Sequence, residues 1–185
     1  MDAVVDHEPL AAVTEASDDT DVAVHTTSDD GRTDDWSDAD DAFMLRCLGL
    51  AAKAGARGEV PVGAVVVRDG VELGAAHNEC ETRGDPTAHA EMLALAAAFR
   101  AAGEGRLPGA TLYCSLEPCV MCTGAALHAR VARIVYATRD PKFGACASLY
   151  EIPSDRRLNH RCPVHGGLRA DESATLLRDF FRRLR

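Results

Sequence analysis

Apolar residues recur along this chain with two different spacings, and the alternation between them outlines a fold. Phe43, Cys47, Leu50, Ala51 and Ala54 stand at i, i+4, i+7, i+8 and i+11. That is one face of a helix, which Asp38 to Asp41 can cap and which Gly55 and Gly58 end. Val62 to Val67 and Val71 to Ala76 are β-prone runs on either side of Arg68-Asp69-Gly70, and Asp-Gly between such runs predicts a hairpin. After a loop over 77–87, helical spacing returns at Ala88, Met92, Leu95, Ala96 and Phe99, closed by Gly103, Gly105 and Pro108.

The second half repeats the alternation. Ala110 to Ser115 predicts a strand, and Pro118 suits the first position of a helix reaching about Ala129, because its missing N–H would have no partner there. Val131 to Thr138 predicts another strand, 139–159 an irregular connection, and Cys162 to Leu168 a weaker strand. Asp171 is placed to cap a last helix with Leu176, Leu177, Phe180, Phe181 and Leu184 on one face and Arg178, Arg182, Arg183 and Arg185 in its later turns. The order α-β-β-α-β-α-β-β-α predicts an α/β fold of three layers, α/β/α, with helices on both faces of one mixed five-stranded sheet.

Residues 1–37 keep neither period and are rich in Asp, Thr, Ser and Ala, which reads as a disordered acidic tail ahead of a single domain over 38–185. Charge divides the chain at the same place. Residues 1–41 hold 14 Asp/Glu and one Arg, so the formal charge of -9 conceals 15 acidic against 19 basic residues over 42–185. The domain is mildly basic, which permits contact with a phosphate backbone. With 46% apolar residues and no apolar run near the ~20 residues that span a bilayer, a soluble protein with no membrane partner is expected. Seven cysteines are an odd number without disulfide-framework spacing and follow no secretory signal, which points to a reducing cytoplasm.

Two short stretches carry chemistry. Asp85-Pro86-Thr87-Ala88-His89-Ala90-Glu91 sets an imidazole two residues before a carboxylate at a helix start, and Pro118-Cys119-Val120-Met121-Cys122 holds the sole CxxC. Cysteines three apart near a helix N-terminus share neighbouring parts of one face, and the positive end of the helix dipole favours thiolates. If the strands leading into the two helices are adjacent and parallel, His89, Cys119 and Cys122 converge at one sheet edge. Three protein ligands leave the fourth position of zinc for a water whose pKa falls towards ~7. Glu91 is a poor fourth ligand but can face that water as acid and base. Together these make the H-x-E…P-C-x-x-C signature of zinc-dependent nucleobase deaminases. A closed structural site would need a fourth ligand, for which Cys114 and His128 are the candidates. His77, His160 and His165 are read as non-ligands.

Over roughly residues 40–185 the chain resembles the bacterial tRNA-specific adenosine deaminase family. The likeness runs through Val60-Pro61-Val62-Gly63-Ala64, Asp85 to Glu91, Leu116-Glu117-Pro118-Cys119-Val120-Met121-Cys122, Arg139-Asp140-Pro141-Lys142, Leu158-Asn159-His160-Arg161 and Phe180-Phe181-Arg182. It implies a cytidine-deaminase-like fold, a homodimer, one zinc per subunit on His89, Cys119 and Cys122, and Glu91 as proton shuttle. The implied reaction is hydrolytic deamination of adenosine to inosine at the wobble position of a tRNA, with the anticodon stem-loop as partner. By the same likeness Asn78 holds the target base, Val60 forms part of the pocket wall, and Asp140 and Lys142 face the anticodon. Phe180 has two readings: a face on which a splayed base stacks, or a member of the helix's core stripe. Two other functions compete. A deaminase of a free base or nucleoside, of guanine or cytosine type, is opposed by the Arg-Asp-Pro-Lys loop and the basic last helix. A non-catalytic zinc module that binds RNA is opposed by Glu91, which such a module does not need.

Overall fold

A computed structural model describes residues 36–185 of the chain. The expected tail therefore lies outside the described residues, apart from Trp36 and Ser37, and those two belong to the folded part. Ser37 caps helix α1 (Asp38–Ala56), its hydroxyl accepting the Asp40 N–H at 3.1 Å while the Asp40 carboxylate accepts the Ser37 N–H at 3.2 Å. This reciprocal capping box moves the cap from the expected Asp38 to Asp41 onto the residue before them. Met44 and Leu48 join Cys47, Leu50, Ala51 and Ala54 on the buried face, and Phe43 is only half-buried.

Strands β1 (Gly63–Arg68) and β2 (Val71–His77) form the expected hairpin. Asp69 and Gly70 both take positive φ, 54° and 76°, the left-handed pair that a type I′ turn requires. The loop that follows contains a short helix, α2 (Cys80–Arg83), where only loop was expected. Helix α3 (Ala90–Ala102), strand β3 (Thr111–Leu116), helix α4 (Val120–His128) and strands β4 (Arg133–Thr138) and β5 (Val164–Gly166) come next. The sheet order is β2-β1-β3-β4-β5. Strand β1 is antiparallel to both neighbours, while β3, β4 and β5 run parallel.

The two helix starts meet at one sheet edge although the strands behind them are not the expected neighbours. The strands that lead into α3 and α4 are β2 and β3, and they are not adjacent because β1 lies between them. Each is antiparallel to β1, so the two run the same way. Both helices consequently start at the same end of the sheet.

Helix α3 packs on β2 and β1, while α1 and the last helix, α5 (Ala170–Arg183), cover the opposite face. Alternation along β1 serves both cores: Val66 joins Leu95, Leu112 and Ile134 on the α3 side, and Val65 and Val67 join Met44, Tyr113 and Val135 on the α1 side. Of the predicted stripe Ala88 and Leu95 are buried, while Met92, Ala96 and Phe99 are only half-buried, and helix α3 instead buries Ala90, Glu91, Ala94 and Ala98 beside Leu95. The cause lies across the contact. A Cβ on Gly74 would stand 2.4 Å from the Ala94 carbonyl oxygen, so helix and strand backbones touch and only alanines fit between them.

Helix α5 departs further. Its N-cap is Arg169, at φ 57°, held by 2.6 Å bonds from Nε and Nη2 to the two carboxylate oxygens of Asp41; Asp171 is inside the first turn and caps nothing. Of the predicted stripe, Phe180 is buried, Leu176 and Leu177 are half-buried, and Phe181 and Leu184 are exposed. The helix packs on α1, β3 and β4, and Phe181 and Leu184 stay outside that contact.

Candidate active site

The donor atoms of His89, Cys119 and Cys122 all lie within 4.8 Å of one another. His89 Nδ1 is 3.7 Å from Cys119 Sγ and 3.5 Å from Cys122 Sγ. His89 is the N-cap of α3 and Cys119 the N-cap of α4, so both helices aim their positive ends at the cluster. This shifts α4 from expectation: Pro118 precedes the cap and does not open the helix. Pro118 is fully buried, and its carbonyl accepts the Ala145 N–H at 2.9 Å and the Thr123 hydroxyl at 3.3 Å. Two thiols and an imidazole at this spacing fit a tetrahedral zinc ion and leave one position over. Neither nominated fourth ligand belongs to the cluster. Burial holds the Cys114 thiol well above its ordinary pKa, and His128 is exposed at the far end of α4.

The two thiols share one proton: the Cys122 thiol beside Cys119, with His89, brings Cys119 down to about 4, while the same contact and burial hold Cys122 well above its ordinary value, and the contact with Cys119 raises His89. Glu91, at the second position of α3, is 4% exposed, and burial pushes its carboxyl up to about 7. A carboxyl with that pKa can hold and release a proton at neutral pH.

These groups form the floor of a cavity of about 670 Å³. Asn78, Val60, Asp140 and Lys142 all line it, as do His89, Glu91 and Cys119. Cys122 is fully buried beneath. Val60 also packs against the main core, so it is both wall and support. The Asp140 carboxylate accepts the N–H groups of Lys142 at 2.9 Å and Phe143 at 3.3 Å, shaping its own loop as well as the rim. Phe180 is a correction. It is 5% exposed and absent from the cavity wall, where the neighbouring Phe181, 48% exposed, stands instead. Of the two readings of Phe180, core packing is the one the structure shows, because a buried ring offers no face to a base.

Sequence reasoning passed over two buried carboxylates that build the walls. Glu117 accepts the N–H groups of Asp140, Cys146, Ala147 and Ser148 at 3.0, 3.1, 2.8 and 2.9 Å, and the Ser148 hydroxyl. It therefore fixes the loop that carries Asp140, Lys142 and Phe143. The fit demands glycine at 144, where a Cβ would come within 2.4 Å of Glu117 Cδ. Glu59 does the same for the opposite wall, accepting the N–H groups of Thr82 at 2.7 Å and Glu81 at 3.1 Å and the Asn78 amide at 3.2 Å. Each stands directly before a wall or ligand string, Val60-Pro61 and Pro118-Cys119, and that placement was the available signal. Phe143, 67% exposed on the rim, was also passed over, although an aromatic ring in a polar loop is itself a signal.

A three-layer fold with two helix N-termini converging on an imidazole, two thiols and a protonatable glutamate defines a zinc-dependent deaminase. Residues 37–138 match the family described as the cytidine and deoxycytidylate deaminase zinc-binding region. The tRNA-specific adenosine deaminase of Bacillus subtilis (strain 168) is 43% identical over 146 residues, covering 79% of this chain and 91% of that protein. The chain belongs to the tRNA-specific adenosine deaminase family. Among solved structures, a tRNA:A34 deaminase studied for A-to-I editing at the wobble position of transfer RNA is similar with a TM-score of 0.71 and 43% identity, covering 74% of this chain and 99% of that one. A guanine deaminase from Nitrosomonas europaea is similar with a TM-score of 0.63 and 29% identity, covering 76% and 83%.

Proposed function

We propose that this protein hydrolyses adenosine to inosine at the wobble position of a tRNA anticodon, consuming water and releasing ammonia. The observation that carries the reading is the place of Glu91: a carboxyl only 4% exposed, two residues from His89, in a cavity also lined by Arg139, Lys142, Phe143 and Phe181. His89, Cys119 and Cys122 would hold one zinc per chain. Zinc so held supplies a polarised water with its pKa brought down towards ~7. Glu91 would carry two protons in turn, one from the attacking water to a ring nitrogen and a second from the hydroxyl left on the carbon to the departing amine. Asn78 and Val60 position the base, which enters already unstacked from a single-stranded loop.

The rim favours a nucleotide within RNA over a free base. Lys142 and Arg139 are exposed there beside Phe143 and Phe181, groups that pair with phosphates and stack on neighbouring bases. RNA affinity should therefore fall as salt rises. Domain 38–185 works in the cytoplasm as a homodimer. Val120 opens α4, and Leu149 and Tyr150 lie in the connection that bridges to Cys119 through Gly144; all three are at least half exposed and suit a contact between copies. Among the described residues no helix is long and apolar enough to cross a membrane.

The test is deamination by zinc-loaded full-length protein of an anticodon stem-loop with adenosine at the wobble position, beside free adenosine, guanine and cytosine. Inosine in the stem-loop, with little turnover of the free compounds, is expected. Turnover of free guanine or cytosine alone would replace this function by small-molecule deamination, and zinc-dependent RNA binding without turnover would leave a binding module.

A further inference from the structure

Glu59 has no part in the chemistry above, yet it is completely buried, and one of its hydrogen bonds reaches a proposed substrate contact. Helix α2 has no cap of its own, because the Glu79 side chain makes no capping bond. Glu59, from the segment before β1, fills that role. It accepts the N–H groups of Glu81 and Thr82, which no helical carbonyl can reach in a first turn. Its Oε2 also accepts the Asn78 amide.

That last bond settles an orientation. An amide side chain can flip end for end, exchanging a two-hydrogen donor for an acceptor. Burial pushes Glu59 up, but the N–H groups of Thr82 and Glu81, the Thr82 side chain and the Asn78 amide outweigh it and hold the carboxyl below its ordinary range. Being ionised, it has no hydrogen to give. Asn78 Nδ2 must therefore face Glu59, and Oδ1 must turn the other way, where the Cys80 thiol stands 3.5 Å from it. A base that meets Asn78 finds one fixed pattern of donor and acceptor, and a flipped amide would present the reverse.

We propose that Glu59 is a positioning residue for base recognition, fixing which end of the Asn78 carboxamide faces the base and tying it to the α2 wall of the same pocket. The inference rests on the base-holding role proposed for Asn78. Glu59→Gln removes the obligation, since its amide can donate as well as accept.

The experiment is a double-mutant cycle on zinc-loaded full-length protein, with Glu59→Gln, Asn78→Ala and the pair, reading kcat, KM, zinc content and Tm on the wobble-adenosine stem-loop. Glu59→Gln should lower kcat/KM by about tenfold or more with zinc content unchanged. In the Asn78→Ala background it should cost less than about threefold further, because the two act through one contact. Glu59→Asp, which keeps the acceptor, should recover part of the loss at similar Tm. Losses that multiply, an unaffected Glu59→Gln, or loss of zinc in both Glu59 variants would each overturn the role. Wild-type protein inactive on the stem-loop would instead overturn the proposed function, and the cycle would then be run on whichever base is turned over.

Discussion

Glu91 and Glu117 line the same cavity and are almost equally buried, 4% and 2% exposed, yet they settle in opposite protonation ranges. Burial disfavours charge in both. At Glu91 only its own backbone N–H, the neighbouring His89 and the Cys122 thiol answer it, Cys119 adds to the burial, and the carboxyl rises to about 7. At Glu117 the Ser148 hydroxyl and the N–H groups of Asp140, Ala147 and Ser148 outweigh burial, and the pKa falls below its ordinary value. Glu59 repeats the second pattern on the opposite wall. The difference teaches that depth does not assign a role to a buried carboxylate. The count of donors aimed at it does: several N–H groups make a permanent anion that organises loops, and few leave a group free to carry a proton.

The contrast breaks most visibly at Glu117. Replacing it with alanine strands four backbone N–H groups, and a loss of about 3 kcal/mol or more is expected, seen as a Tm fall of roughly 6–12 °C. Glu91→Gln, measured the same way on zinc-free protein, should shift Tm by no more than about 2 °C, because an amide replaces a group that prefers to be neutral. Equal losses at the two positions would end the distinction.

Helix α5 offers the same kind of test with rings. Phe180→Ala should cost about 3 kcal/mol of stability, whereas Phe181→Ala should leave Tm nearly unchanged and raise KM for the stem-loop by about tenfold. A KM effect at Phe180 without loss of stability would reverse the assignment.

The smallest expected effect is in pH. Because the folded pKa of Glu117 lies below the ordinary 4.5, its contribution is complete above that value and is lost as pH falls through the folded pKa. The Tm gap between wild type and Glu117→Gln should thus be constant from neutrality to about pH 5 and narrow below 4.5. A gap that widens on acidification would contradict the sign.

Much of this was legible in the sequence because chemistry and turn geometry are local. His89, Glu91, Cys119 and Cys122 carry a spacing tied to their donor atoms, and Asp69-Gly70 announces a turn that needs two left-handed residues. What escaped depends on what lies across a contact. In α3 the expectation holds for Ala88 and Leu95 and fails for Met92, Ala96 and Phe99, because the residue that draws Ala94 and Ala98 inward, Gly74, sits on another strand. Phe181 and Leu184 stay outside the contact of α5 with α1, β3 and β4, which periodicity in α5 does not encode. Glu59 and Glu117 escaped because their partners are backbone N–H groups 22 to 31 residues away, with the nearest side-chain partner, Asn78, at 19. Backbone donors leave no mark on residue identity.

The most direct test of the account is Glu91→Gln assayed for zinc and turnover in one preparation. One zinc per chain should be retained, as in wild type, while kcat for inosine formation falls by about 10³-fold, within the range of general acid–base contributions. Turnover within a factor of about two of wild type at full zinc occupancy would contradict the proton-carrying role of Glu91.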